Sequence, residues 1–361
     1  MAHFHLADDE HQAQGERDAV ACDVSRSQLR RKSLHRVPSR SKVIEVSVCI
    51  ANWNCRQHLR ACLASLLQEF QGVSLEVIVV DNGSHDGAPE MVAAEFANVT
   101  VVRNRGNRGF ARANNQAAQL AVGQYLFFLN NDTVAPPGTL ERLLRFARSH
   151  PEVAVIGPAL RDPNGRIQTS FRRRPTVSTF LLRTTLLRWT PLLRDFYRRY
   201  RRHRERDRSG TRRVEVLLGA ALFMSRDVFV ACGGWDEQFI FGGEDLDLCS
   251  RIGRQRSIVY LPSVEIVHHG RLSTRQHIGF ASRNIPIGFV RYLRMTGSSR
   301  LAIFAYKTMM SLEAPIQAAS KTIQAGWRLM CGRKDDAAKS MLACRGQLLF
   351  VFKGLLAFWR A

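Results

Sequence analysis

From residue 44 onward, apolar runs that end in small polar residues alternate with segments whose apolar positions recur every three or four residues. That alternation confines the chain to a layered α/β fold. IEVSVCIANWN (44–54) predicts a strand running into a polar loop, and RQHLRACLASLLQEF (56–70) predicts an amphipathic helix. LEVIVVDNGS (75–84) predicts a buried parallel strand, followed by a helix over 88–96, a short strand in VTVVRN, a helix over 110–122 and the apolar strand QYLFFLNND. Pro136-Pro137 opens a helix reaching about His150, and PEVAVIGP is a further strand. VEVLLGAALFMSRDVF gives a strand and a helix start, and IVYLPSVEIVHHG gives two short strands. The last eighty residues give helices with wide apolar faces. The expected class is α/β, with a mostly parallel, Rossmann-like sheet flanked by helices and a C-terminal helical extension.

The boundaries follow composition. Residues 1–42 have low apolar density, end in basic residues and lack the apolar stretch of a signal peptide, so they are expected to form a disordered basic extension. A main unit over 43–280 contains an Arg-rich insertion at 161–213, where seventeen arginines face four acidic residues and supply over half of the formal +22 charge. Residues 281–361 form the helical remainder. Such a charge favours phosphorylated substrates, anionic lipid or nucleic acid. Nucleic acid is disfavoured because aromatics do not interleave with the arginines and no zinc, helix-turn-helix or RNA-recognition signature is present. Eight cysteines without a C-x-x-C pair predict a reducing compartment and no disulfide framework. No uninterrupted apolar stretch reaches eighteen residues, which argues against a conventional membrane span. VSTFLLRTTLLRWTPLL and QLLFVFKGLLAFWR, flanked by cations, fit either a lipid interface or packing in a core or dimer contact. Oligomeric state is not legible.

In parallel sheets ligands gather at the carboxyl ends of strands, and the polar residues of this chain crowd there. Asp81-Asn82-Gly83-Ser84 can hydrogen-bond a ribose or a base imide, or form a strand-ending Asx turn. NRGNRGFARANNQ, with Asn107 and Gly109 just before a helix, suits a phosphate or sugar hydroxyl, or is an ordinary helix start. Asp132, leaving the most apolar strand, can coordinate Mg²⁺ or Mn²⁺ together with substrate phosphates, or cap a turn. Glu244, Asp245 and Asp247 crowd three carboxylates into one helix start in a basic chain; 244 and 247 share a face while 245 points elsewhere. His268 and His269 are adjacent in a strand, so at most one reaches a common site.

The order of these strings resembles the family 2 glycosyltransferases of GT-A fold, in particular their rhamnosyltransferase-like branch. VSVCIANWN, VIVVDNGSHDG, NRGFARANN, FFLNNDT, GAALFMSRDVF, GGWDEQFIFGGEDLDLCSRI and VHHGRLS carry the resemblance over roughly residues 44–275. It implies that Asp81 holds the nucleoside of a nucleotide-sugar donor, with Ala51, Asn52 and Asn54 near the base and Asn82, Asn107, Gly109 and Asn131 completing the donor site. It further implies Asp132 as the metal ligand of a D-x-D site that here reads Asn130-Asn131-Asp132. Asp245 becomes the catalytic base and His268 a second metal or diphosphate ligand, with His269 as the fallback. The implied activity is inverting transfer to a polyprenyl-diphosphate-linked saccharide in cell-surface polysaccharide synthesis. It would take place in the cytoplasm, with the protein peripheral to the inner, anionic face of the plasma membrane. The alternatives are a catalytically silent nucleotide-sugar-binding scaffold and a nucleic-acid-binding protein.

Overall fold

The computed structural model describes residues 43–67, 72–182, 184, 195, 210–270 and 277–361. The basic extension 1–42, nearly half of the Arg-rich insertion and Ser273 lie outside the described residues. In chain order the elements are β1 (Val46–Asn52), α1 (Arg56–Leu67), β2 (Leu75–Asp81), α2 (Ala88–Glu95), β3 (Val99–Arg103), α3 (Phe110–Leu120), β4 (Tyr125–Leu129), β5 (Thr133–Val134), α4 (Thr139–Ser149) and β6 (Val153–Arg161). They continue with β7 (Phe171–Arg172), α5 (Val177–Leu181), β8 (Arg212–Arg213), β9 (Val216–Leu217), β10 (Ala221–Ser225), α6 (Arg226–Ala231), α7 (Glu244–Ile252) and β11 (Ser257–His268). Four helices close the chain: α8 (Ile278–Met295), α9 (Arg300–Met330), α10 (Lys334–Leu349) and, after a π turn at Phe350–Gly354, α11 (Leu355–Arg360).

The main sheet runs β3-β2-β1-β4-β10-β6-β11-β5, with β8 on β11. Strands β1 to β4 are mutually parallel where they pair, as are β6 and β11; β10 enters antiparallel between β4 and β6. Period-two alternation splits each strand between two cores. Val48, Ile50, Val77 and Val79 join α1, α2 and α4 on one face, while Cys49, Ile78 and Val80 join α3, α6, α7 and α8 on the other. The mixed α/β architecture with a mostly parallel sheet and a C-terminal helical extension is therefore as the periodicity predicts.

Three local expectations change. IVYLPSVEIVHHG is one strand, β11, because its register against β6 slips between Leu261 and Glu265 and so carries the pairing past Pro262. VEVLLGAALFMSRDVF breaks into β9 and β10 at Gly219, and the Ser225 hydroxyl accepts from the Val228 N–H to start α6. Lys334–Arg360 is long and apolar enough to cross a membrane, judged by length and composition alone, although Lys353 interrupts its apolar run; few of its residues are buried inside the protein. The start of VSTFLLRTTLLRWTPLL packs inward, with Phe180 buried against Phe289 and Tyr306, and the rest from Thr185 lies outside the described residues. Seven cysteines are described, and all are free thiols.

Candidate active site

The carboxyl ends of β1, β2 and β4 lie side by side, so their terminal polar residues meet. Asn52 Nδ2 donates to Asp81 Oδ1 at 2.8 Å, and Asn131 Nδ2 donates to Asn52 Oδ1 at 2.7 Å. Ser84 returns to the same carboxylate, its hydroxyl on Oδ1 at 2.6 Å and its N–H on Oδ2 at 2.8 Å. The Asx turn and the strand-end carboxylate are thus one feature: the turn fixes Asp81, and Oδ2, accepting a single bond, keeps capacity for a ligand. Ala51, partly exposed, pairs with Val80 one step back. Asn54 takes a left-handed φ of 48°, which lets its Oδ1 accept from the His85 N–H at 2.8 Å.

The Asn107–Gly109 loop joins this cradle differently from expectation. Asn82 Nδ2 donates to the Gly109 carbonyl, Asn107 Oδ1 takes the Gly109 N–H and the Ile240 carbonyl takes the Phe110 N–H. Two N–H groups at the start of α3, those of Gly109 and Phe110, are thus engaged within the protein. A Cβ at Gly109 would sit 2.6 Å from the Ile240 carbonyl, so glycine allows the donor loop to dock on the segment leading into α7.

Asp132, 4% exposed, leaves β4 toward β11, whose His268 pairs with Thr133. His268 Nε2 stands 3.4 Å from Asp132 Oδ1. Gln168 grips the histidine twice: its amide nitrogen donates to the His268 carbonyl at 2.6 Å, which turns Oε1 onto Nδ1 at 2.9 Å. Oε1 can only accept, so Nδ1 carries a hydrogen and Nε2 is the ring nitrogen left facing Asp132. Two cis ligands of a Mg²⁺ or Mn²⁺ ion stand about 3 Å apart, so this N,O pair suits a hard divalent cation whose other positions belong to phosphate and water. Among the described residues no group of three or more His, Cys, Asp or Glu side chains surrounds such a position. Burial and then the charge of Asp132 push the Cys55 thiol up to about 12, and burial does the same for Cys62, so neither offers a thiolate. His269 lies just past the end of β11; its ring meets His58 at 4.8 Å, and burial followed by His58 lowers its pKa.

The third component is α7. The Gly242-Gly243 turn before it packs against α8, where a Cβ on Gly288 would collide with the Gly242 carbonyl. Asp245 is buried, and Arg172 Nη2 touches both its oxygens at 2.7 Å. The Leu246 N–H adds a second bond to Oδ1, leaving Oδ2 the less engaged oxygen. Asp247 instead chelates Arg251, which also holds the Gly234 carbonyl, so it organises the turn. Burial, then the Asp245 charge, raises Glu244 from 4.5 to about 7, and its Oε2 has no hydrogen-bond partner. Asp245 and Asp132 border one junction: the Asn130 N–H bonds the Ala220 carbonyl at 2.9 Å, and a Cβ on neighbouring Gly219 would meet Asp245 Cβ at 3.5 Å.

The sequence motif described as glycosyl transferase family 2 matches residues 47–230, about half of the chain, across β1 to α6. The chain is a family 2 glycosyltransferase. This glycosyltransferase is 33% identical, over 230 residues, to the N-acetylglucosaminyl-diphospho-decaprenol L-rhamnosyltransferase of two Mycobacterium tuberculosis strains, covering 60% of this chain and 73% of that one. It is therefore a rhamnosyltransferase-like member, with the GT-A arrangement that the sheet order displays. An O-antigen biosynthesis protein of Myxococcus xanthus matches at 29% identity over 229 residues, 60% of this chain and 16% of that protein. A mannosyltransferase from Pyrobaculum calidifontis, solved in complex with GDP-Man and Mn²⁺, superposes with a TM-score of 0.48 at 17% identity, covering 90% of this chain and 91% of that one.

Several residues around the glycosyltransferase site escaped the sequence reading. Gln168 and Arg172 carry no local pattern. Trp53, stacked on His277 at 3.7 Å and edge-on to Phe280 at 5.3 Å, forms an aromatic wall beyond β1. Its position directly after Asn52 was the available signal.

Proposed function

We propose that this glycosyltransferase moves a sugar, rhamnose in the first instance, from a nucleoside diphosphate donor to a hydroxyl of a polyprenyl-diphosphate-linked saccharide, with inversion. The setting is the cytoplasmic face of the bacterial plasma membrane, in the synthesis of a cell-surface polysaccharide. The observation that carries the reading is that Asp81 and the Asp132–His268 pair lie at strand ends, with Asp245 at the start of α7 beside Gly219, in a chain 33% identical to an N-acetylglucosaminyl-diphospho-decaprenol rhamnosyltransferase. Family membership replaces the nucleic-acid reading of the charge.

In this reading Asp81 and the Asn52–Asn131 network position the nucleoside. Asp132 and His268 would hold a divalent cation, which would supply positive charge to offset the negative charge of the leaving diphosphate. Asp245 Oδ2 accepts the proton of the acceptor hydroxyl as that oxygen attacks the anomeric carbon from the face opposite the nucleotide. One bond forms to the acceptor oxygen, the bond to the diphosphate breaks, and the electron pair leaves with phosphate. A single base in a single displacement inverts the anomeric centre. Arg172 keeps Asp245 oriented until the acceptor hydroxyl arrives.

Thermal unfolding with dTDP-, UDP- and GDP-linked sugars, each with and without Mn²⁺, tests donor and metal together. One donor class raising the melting temperature only with Mn²⁺ is the expected result; indifference to all of them sinks the reading. The firm hold of Arg172 on Asp245 favours one second reading, a silent nucleotide-sugar-binding scaffold. Turnover of a GlcNAc-diphospho-polyprenol acceptor excludes it.

A further inference from the structure

Helix α9 buries Ile303, Tyr306 and Ala314 against the protein yet carries a second apolar line on its outward side. Along its 31 residues, about 46 Å, Leu301, Phe304, Leu312, Ile323, Trp327 and Met330 recur at helical spacing and are between 57% and 77% exposed. All five of its charged residues (Arg300, Lys307, Glu313, Lys321 and Arg328) fall off that line, and Lys307 and Glu313 are buried on the opposite side. The neighbouring helices continue the pattern. α10 and α11 run back antiparallel along α9, tied by polar bonds: Gln347 to Gln317 at 3.0 Å, Arg328 to Ser340 at 2.6 Å and Lys307 Nζ to the Trp359 carbonyl at 2.9 Å. Leu348, Phe352 and Leu356, all exposed, extend the apolar face outward from that polar seam. A hairpin with polar contacts inside and large apolar side chains outside is unfavourable in water, since such patches rarely stay uncovered.

Charge identifies what covers it. Residues 296–361 hold ten Lys and Arg against three Asp and Glu. Lys307 apart, which is buried, these cations lie on or beside the exposed apolar face, and with Trp327 and Trp359 near the helix ends they complement an anionic bilayer surface. A second copy of the chain would instead set this positive rim against itself.

We propose that the outward face of the α9–α11 hairpin seats the protein on an anionic lipid bilayer, with α9 lying in the plane of the headgroups. This deepens the membrane-side reading above, and it places the contact on α9, which the sequence reading had not singled out.

The test is flotation of the purified full chain with phosphatidylcholine vesicles and with vesicles that also contain phosphatidylglycerol. The parent is expected to float with the anionic vesicles and to bind neutral ones about ten-fold less. The triple substitution Leu312→Gln, Ile323→Gln and Met330→Gln should cut anionic binding at least about ten-fold at an unchanged melting temperature. Tryptophan quenching by brominated lipid, weaker in Trp327→Phe than in the parent, reads the same contact without relying on the triple variant. A parent that stays off both vesicle types overturns the proposal, as does a folded triple variant that binds like the parent. A lipid-indifferent parent sedimenting as a dimer that the triple variant dissociates overturns it in favour of a second copy. Measuring the donor-induced melting shift on the same preparation separates the two readings. A shift without vesicle binding sinks only the bilayer seat, and vesicle binding without a shift for any donor sinks only the transferase reading.

Discussion

On the β1–β2 side of the site, Asn52, Asp81, Ser84 and Asn131 are bonded to one another before any ligand arrives. On the β10–β11 side, Asp245 and His268 are each held by one side chain reaching across from β7 or the segment just before it. The first side shares its load among several mutual bonds, so it is a stiff cradle whose loss at one position is partly absorbed. The second side has little redundancy: among the described residues, Arg172 and the Leu246 N–H are what hold the Asp245 carboxylate, and Gln168 is the side chain on His268 Nδ1. Binding is therefore expected to depend on the first side and turnover on the second.

Three substitutions break or sharpen that contrast. The largest effect belongs to Asp245→Asn, which preserves shape but removes the proton acceptor. Transfer should fall by about 10²–10⁴ while the donor-induced melting shift persists. Transfer within ten-fold of the parent would move the base elsewhere, with Glu244 next in line. Gln168→Leu should follow, lowering Mn²⁺ affinity by about 10–100-fold as read by paramagnetic resonance titration. The equivalent cut on the other side, Asn131→Ala, should leave Mn²⁺ affinity nearly unchanged; equal losses from both would erase the distinction between the two sides.

The smallest effect concerns stability. Glu244 titrates near 4.5 when unfolded and near 7 when folded, because burial and Asp245 disfavour its charge. Between those values the unfolded chain has given up the proton that the folded chain retains, so this residue makes the protein less stable as pH rises from about 4.5 to 7. Glu244→Gln should therefore raise the unfolding free energy by about 1–2 kcal/mol above pH 7 and by almost nothing at pH 4. A constant difference across that range would assign Glu244 another environment.

Much of the first side was legible because its signals are local. Asp81 and Asp132 each end a continuous apolar run, and a strand end is where a β-α unit delivers polar groups. Gln168 lies in RDPNGRIQTS, a stretch with no periodicity, and meets His268 only because β6 and β11 pair in parallel and bring the flanking segments together. Arg172 was one of seventeen arginines in its region, and no pattern marks the one that finds Asp245. The expected phosphate loop at Gly109 looked free in sequence because Ile240, which occupies it, lies 131 residues further along.

The C-terminal helices show the same division. Spacing of apolar residues by itself determined that residues after 280 are helical, just as strand runs and turn residues determined the α/β layers and the strand-end cluster of carboxylates. Which side of α9 meets the protein was a tertiary decision. Periodicity specifies that an apolar stripe exists, but a stripe has no sign until packing chooses the face it buries. Here the chosen face holds Ile303, Tyr306 and Ala314 together with Lys307 and Glu313, and leaves the leucines, Phe304 and Trp327 outside.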